Sequence, residues 1–317
     1  MMHGATVSTF IARIQTGFSR KSSFPFFARP VMSPSSDRSG YLYAAACVFI
    51  WSGFVLLSRV AGTTTLNGFD LTALRFGTAA LLLLPAWLFW KRVPLFNRRM
   101  LALVATGGIG YASVVYTSFR FAPAAHGAVL LSGILPFFVA LLAWRLLQQP
   151  LSPHLKKALF LIALGVAALA LHSLHDLGRS WPGDLLMVTA SFLWGLYTVL
   201  VKKWGYSPWE TTLGVALLSA LIYLPVYVLL LPKGIQTVPL SVLVTQGGYQ
   251  GVLVVIVAMV LYMQAMVRLG PLRLGAVMAT VPAVAGMGAT LALGEPFSMW
   301  LVIGLILTSL GAWLGTR

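Results

Sequence analysis

Of 317 residues, 59% are hydrophobic and only 9% charged, and the mean hydropathy is +0.89, which excludes a soluble globular domain with its usual charged fraction of about 25%. The net charge of +16 sits in short basic clusters between apolar segments, a distribution that orients a membrane protein and offers no extended basic face to a nucleic acid. The single cysteine, Cys47, lies in the first apolar run, so no intrachain disulfide framework is available.

Residues 1–40 carry Arg13, Arg20, Lys21, Arg29 and Arg38, with turn formers around Pro30, Ser33, Pro34 and Ser36. They read as a basic tail, or as a start assigned upstream of one at Met32, and lack the apolar core and cleavage site of a secretory signal. Ten apolar segments of about 20 residues, the length that crosses a hydrocarbon core, then follow. They fall at 41–61, 69–90, 100–121, 123–145, 156–174, 184–203, 209–231, 243–267, 272–293 and 297–315. Pro123, Pro182 with Gly183, Pro208, Pro232 and Gly270 with Pro271 punctuate the short connections. Pro85, Pro136, Pro225 and Pro282 fall inside segments, where each removes a backbone hydrogen bond and predicts a kink.

The chain repeats itself. A gapless shift of 146 positions places Tyr116 on Tyr262, Pro136 on Pro282, Pro150 on Pro296, Ser152 on Ser298 and Gly165 on Gly311. Upstream, with a small change of register, Phe49 falls on Phe192, Trp51 on Trp194, Gly62 on Gly205, Asp70 on Glu210 and Pro85 on Pro225. Lysine and arginine concentrate on the cytoplasmic side of short loops. With a cytoplasmic N-terminus, 17 basic residues fall inside and four outside, namely Arg59, Arg120, Arg179 and Lys233. Each copy holds five segments, an odd number, so the second enters the membrane from the opposite face. The expected fold class is therefore all-α: a polytopic membrane protein with ten transmembrane helices as two inverted five-helix repeats, 41–174 and 183–316. Such repeats are a transporter signature, giving two related conformations around a midplane site.

In the order of these features the chain resembles the drug/metabolite transporter superfamily, of the ten-helix type with two EamA domains. The resemblance covers about residues 41–316. It rests on the FxW of both first helices, on Tyr116 followed by Arg120 and Tyr262 followed by Arg268, on the apolar helix with a central proline, and on LGEPFS at 293–298 before a Gly-rich last helix. Where the family commonly has a glutamate after the fourth helix, as Glu295 stands after the ninth, this chain has Gln148 and Gln149. The resemblance implies an inner-membrane secondary carrier without a cofactor that exports a small metabolite, such as an amino acid or nucleobase. It also implies peripheral fifth and tenth helices. These carry Gly165, Ala167, Ala168, Gly304, Gly311 and Ala312, small residues through which two copies would form a homodimer. The alternative is a non-transporting protein, a lipid-handling enzyme or an assembly factor. No clustered nucleophile, acid pair or metal set for such an enzyme is legible; His172, His175 and Asp176 share a loop and read as solvated.

Candidate substrate contacts follow from depth. Trp51 and Trp194 lie about ten residues into the first helix of each copy, near mid-depth at 1.5 Å per residue, too deep for interfacial anchoring. They read either as aromatic walls facing one another across a cavity or as packing residues. Tyr116 and Tyr262 are gates, cavity walls or belt residues, and Gln264 offers a long amide two positions from Tyr262. Arg75 lies about six residues into the second helix, where a charge needs a partner, water or a route to the surface; Val215 is its counterpart in the repeat. It reads as a snorkelling structural arginine or as a guanidinium gripping a substrate anion. Asp70, Asp184 and Glu210 are expected at helix starts, where the macrodipole stabilises an anion.

With both termini cytoplasmic, a cysteine placed in the 91–99 loop of a Cys47-free chain is shielded from an impermeant thiol reagent in whole cells, whereas one near Thr64 reacts. The reverse labelling pattern would invert the topology.

Overall fold

In the computed structural model the chain divides into two compact units, residues 1–35 and 36–317. The structure describes residues 34–62, 65–90, 92–122, 124–172, 177–294 and 299–315. Most of the basic tail, His175 with Asp176, and Glu295 through Ser298 lie outside the described residues.

Every described element is helical. In order they are α1 (Pro34–Gly62), α2 (Gly68–Phe89), α3 (Arg98–Gly107), α4 (Ile109–Ser118), α5 (Ala124–Gly127), α6 (Leu135–Leu147), α7 (Pro153–His172), α8 (Leu177–Trp204), α9 (Pro208–Leu230), α10 (Leu240–Gly247), α11 (Ala258–Met278), α12 (Val281–Leu293) and α13 (Met299–Gly315). Two π-helical stretches, Ala128–Gly133 and Gly248–Val257, and a 3-10 turn, Ile235–Thr237, interrupt the series. Among the described residues, eight stretches are long and apolar enough to cross a membrane, and they coincide with the first four expected segments and with the sixth to ninth. The expected fifth and tenth segments are α7 and α13, which pack along one another. Gly165 lies against Thr308 and Gly304, and Gly311 against Ala158 and Ile162. Gly165, Gly304 and Gly311 thus meet neighbours within the chain, while large side chains such as Phe160, Ile306, Leu310 and Trp313 point outward.

Several expected helices are discontinuous. The third segment breaks at Gly108. The fourth runs through α5 and a π-helical turn and stops at Ile134, and the ninth breaks at Thr280. Pro136 and Pro282, expected to kink helices from within, instead start α6 and α12, where a missing N–H removes no bond. Pro85 and Pro225 do lie inside α2 and α9. Asp184, expected at a helix start, lies inside α8, because that helix continues through Pro182.

One helix pair carries the repeat residue for residue. Helices α6 and α12 are each 13 residues long, sit 146 positions apart and end in left-handed caps, Gln148 (φ 53°) and Gly294 (φ 69°). Glycine adopts that conformation freely, whereas glutamine does so at a cost. The second helix of each copy opens with the same capping box. Asn67 accepts from the Asp70 N–H while Asp70 accepts from the Asn67 N–H at 2.8 Å, and Ser207 and Glu210 repeat the arrangement at 3.3 and 2.8 Å. Asp70 does more. It is fully buried, and it accepts from the Tyr227 hydroxyl at 2.6 Å and the Gly234 N–H at 3.0 Å, clamping the start of α2 to the loop after α9.

Asp70→Ala therefore strands several buried donors at about 1–3 kcal/mol each, whereas Glu210→Ala removes one half-exposed cap worth about 1 kcal/mol. Thermal melts of the purified variants should show the larger fall in Tm for Asp70→Ala; an equal or smaller fall would remove the clamp.

Candidate functional site

An aromatic seam forms where the two copies meet. Trp51 on α1 meets Trp194 on α8 edge to face, with ring centroids 5.7 Å apart, and lies 5.0 Å from Tyr262 on α11. Tyr111 on α4 and Tyr197 on α8 approach Trp194 at 4.8 and 5.0 Å. The tryptophans were read either as walls facing one another across a cavity or as packing residues; they touch one another and make one continuous wall. Aromatic pairs at these distances contribute about 0.5–1.5 kcal/mol each beyond burial, so the seam is cohesive as well as apolar.

Beside it lies a cavity with roughly 520 Å³ of atom-free space, its mouth included. Trp51, Phe54 and Val55 of α1, Arg75 of α2 and Tyr111 of α4 line it from the first copy, and Trp194, Val254 and Met259 from the second. The π-helical turn contributes Leu131 and Ser132, and α6 adds Leu135. A smaller space adjoins it, bordered again by Arg75, Trp194 and Met259 and also by Val215, the repeat counterpart of Arg75.

Arg75 is 3% exposed and does not snorkel. Its Nη1 donates to the Tyr116 hydroxyl at 3.2 Å, which donates to Gln250 Oε1 at 2.9 Å. Gln250 Nε2 donates on to Ser58 Oγ and Gln246 Oε1, both at 3.4 Å, and Gln246 Nε2 to the Leu57 carbonyl at 3.2 Å. The chain of bonds joins α1, α2, α4 and the Gly248–Val257 segment. Gly251 permits it: a Cβ there would come within 2.6 Å of Thr78 Cβ and 3.0 Å of the Arg75 carbonyl, so only glycine lets this segment approach α2 closely enough for Gln250 to reach Tyr116. Rings of Phe54 and Phe76 lie 5.9 and 5.8 Å from the guanidinium, and Arg75 Nε is buried without a partner.

The structure thus brings Trp51, Trp194, Tyr262, Arg75 and Tyr116 into one neighbourhood, Tyr262 and Tyr116 standing just behind the lining. Gln264 stays out of it: its Oε1 accepts from Arg268 Nη1 at 2.6 Å one turn along α11, and Arg268 lies over the Tyr43 ring. Phe54, Tyr111 and Met259 were not singled out as contacts, and Ser132 and Gln250 only as polar residues at membrane depth that face a bundle interior or water path. Gln250 carried a signal, being an amide within an apolar segment; Tyr111 carried one only in its spacing from Tyr116, one turn and a half away. Away from the seam, His126 Nδ1 and Asp184 Oδ1 are 2.7 Å apart, with Ser180 Oγ donating to Asp184 Oδ2 at 3.1 Å, a link between α5 and α8. No group of three or more His, Cys, Asp or Glu suited to a metal occurs among the described residues.

Tyr116→Phe removes the hydroxyl between Arg75 and Gln250 and leaves both buried and underbonded, a loss of about 1–3 kcal/mol. The purified variant should melt several degrees below the parent; an unchanged Tm would mean that the Arg75–Tyr116–Gln250 chain carries no stability.

The EamA-like transporter family model matches residues 38–171 and again 181–317. A protein of Archaeoglobus fulgidus described as an uncharacterized transporter is 29% identical over 170 residues, which are 51% of this chain and 57% of that protein, so the match spans little more than half of the relative's length. A solved structure described as "Crystal structure of protein" shares the fold, with a TM-score of 0.65 and 21% identity over 87% of this chain and 96% of that one. A family match that covers both copies, on a bundle of apolar helices long enough to cross a membrane, places this multi-pass membrane protein: the chain belongs to the EamA-like transporter family.

Proposed function

We propose that this transporter is an inner-membrane secondary carrier that moves a small metabolite, an amino acid, nucleobase or similar molecule, by alternating access around the aromatic seam, with export the favoured direction. The observation that carries the reading is the cavity itself. It is walled by helices of both copies, has tryptophans at equivalent positions of the repeat, and holds a charged side chain at membrane depth, where ionisable residues mark substrate pathways. Ten spans in two inverted repeats, with α7 and α13 as the fifth and tenth, are supported by the matching lengths and left-handed caps of α6 and α12. The excess of lysine and arginine on one set of loops supports cytoplasmic termini. Trp51, Trp194 and Tyr262 supply stacking surface, Arg75 and Tyr116 supply polarity, and Gln264 braces Arg268 at the edge of the path.

Counterflow in proteoliposomes tests the reading: vesicles preloaded with a small-metabolite pool accumulate external tracer against its gradient, and empty vesicles do not. Trp51→Ala, at a half-exposed ring, should lower the rate by tenfold or more while the protein still accumulates and elutes as a single species. Trp194→Ala, at a buried ring, should cost stability as well, about 3–5 kcal/mol. Full counterflow in Trp51→Ala would take the seam out of the substrate path.

A further inference from the structure

We infer that the cavity selects organic monoanions, with a carboxylate held on Arg75 and an aromatic or branched apolar body laid against Trp51 and Trp194; the inference rests on the transport reading above and replaces the amino acid or nucleobase named there with a carboxylate that carries no ammonium group. A guanidinium does not lose its proton in a protein, so burial cannot neutralise Arg75. It is 97% removed from solvent by its 3% exposure, and its Nε has no partner. The hydrogen-bond chain leads away from it through neutral groups only, Tyr116, Gln250, Ser58 and Gln246. The described carboxylates are engaged elsewhere: Asp70 with Tyr227 and Gly234, Asp184 with His126 and Ser180, Glu210 at the cap of α9. Among the described residues no acid bonds Arg75. What remains is one fixed positive charge, weakly offset by two ring faces, bordering a cavity. Uncompensated buried charge is costly, and here the balancing anion has to come from what the cavity binds.

The number and type of charges follow from the lining. One guanidinium balances one negative charge and leaves a dianion half unpaired. An ammonium group would meet the Ser132 and Tyr111 hydroxyls but no carboxylate, so a zwitterion would bury its cation without a counter-charge. Neutral heterocycles satisfy the rings and leave Arg75 as it is. A planar carboxylate, with two oxygens for the fork geometry of arginine, meets each condition.

Tryptophan-fluorescence titrations of the purified protein with phenylacetate, phenylacetamide, phenethylamine, phenylalanine and phenyl phosphate read the preference directly. Phenylacetate should bind at least tenfold more tightly than phenylacetamide. Arg75→Gln should bind the two equally, and Arg75→Lys, which keeps the charge but not the fork, should retain part of the difference. Equal affinities in the parent, or a preference for the carboxylate that survives in Arg75→Gln, would overturn the inference. So would tighter binding of phenyl phosphate or phenylalanine, which would assign a dianion or a zwitterion. The ligand-free melt separates a site from a prop: Arg75→Gln should melt no lower than the parent, since it removes an uncompensated charge, and a lower melt with the carboxylate preference intact makes Arg75 a packing residue. Counterflow separates the two levels of the reading. Exchange restricted to neutral or cationic compounds overturns the anion assignment alone, whereas no exchange from vesicles loaded with a whole small-metabolite extract removes the transport reading itself.

Discussion

In a hydrocarbon layer an N–H or C=O without a partner costs several kcal/mol, and the form of this molecule follows from meeting that demand wherever its helices are broken. Two of the breaks are approached by a side chain from a neighbouring helix. Ser191 on α8 donates to the Leu131 carbonyl at 2.9 Å, at the π-helical turn of the first copy. Ser52 on α1, whose hydroxyl donates to the Val48 carbonyl of its own helix at 2.7 Å, also lies 3.3 Å from the Val281 carbonyl, just past the break of the second. The traffic is crossed: a helix of each copy reaches the other's discontinuity. Arg59 reaches the Phe119 carbonyl at 3.3 Å in the same way, beyond the end of α4. The copies are joined by this exchange as well as by apolar contact.

The break in the fourth segment borders the cavity: Leu131 and Ser132 of its π-helical turn and Leu135 just past Ile134 line the same space. Discontinuous helices are the usual source of binding sites in transporters for this reason, since they expose polar backbone only where protein or a cavity can receive it. Tertiary cohesion then comes from the rings, with Trp51, Trp194, Tyr262, Tyr111 and Tyr197 in contact across elements far apart in the chain.

Much of this was legible because the chain contains two versions of it. Trp51 with Trp194, and Asp70 with Glu210, could be read as pairs, and the capping boxes at Asn67 and Ser207 are local signals that depend on three or four residues. The helix breaks were not legible. A π-helical turn changes which carbonyl an N–H finds without altering the apolar composition of the segment, so 123–145 and 243–267 read as single helices. Partner choice was equally hidden. The small-residue faces of α7 and α13 declare close packing but not against what, and they meet each other. Gln264 is an amide at membrane depth, and nothing in its neighbours distinguishes a substrate contact from its bond to Arg268 four residues on. The same holds for His126 and Asp184, which are 58 positions apart and joined only by the fold.

Duplication supplies the walls, and departure from it supplies the polarity. Tyr116 and Tyr262 occupy equivalent positions and are both buried, yet one spends its hydroxyl between Arg75 and Gln250 while the other lays its ring beside Trp51. The difference traces to the residue opposite. Arg75 needs an oxygen to donate to, whereas Val215, bordering the smaller space from the other copy, needs nothing. If the copies exchange roles during a cycle, the aromatic seam is preserved under that exchange and the charge is not, because it belongs to α2 alone. A bound anion would then stay with α2 while the neutral walls of the second copy move past it, so affinity in the two end states would be set by how far each keeps an acid, or water, from that one guanidinium.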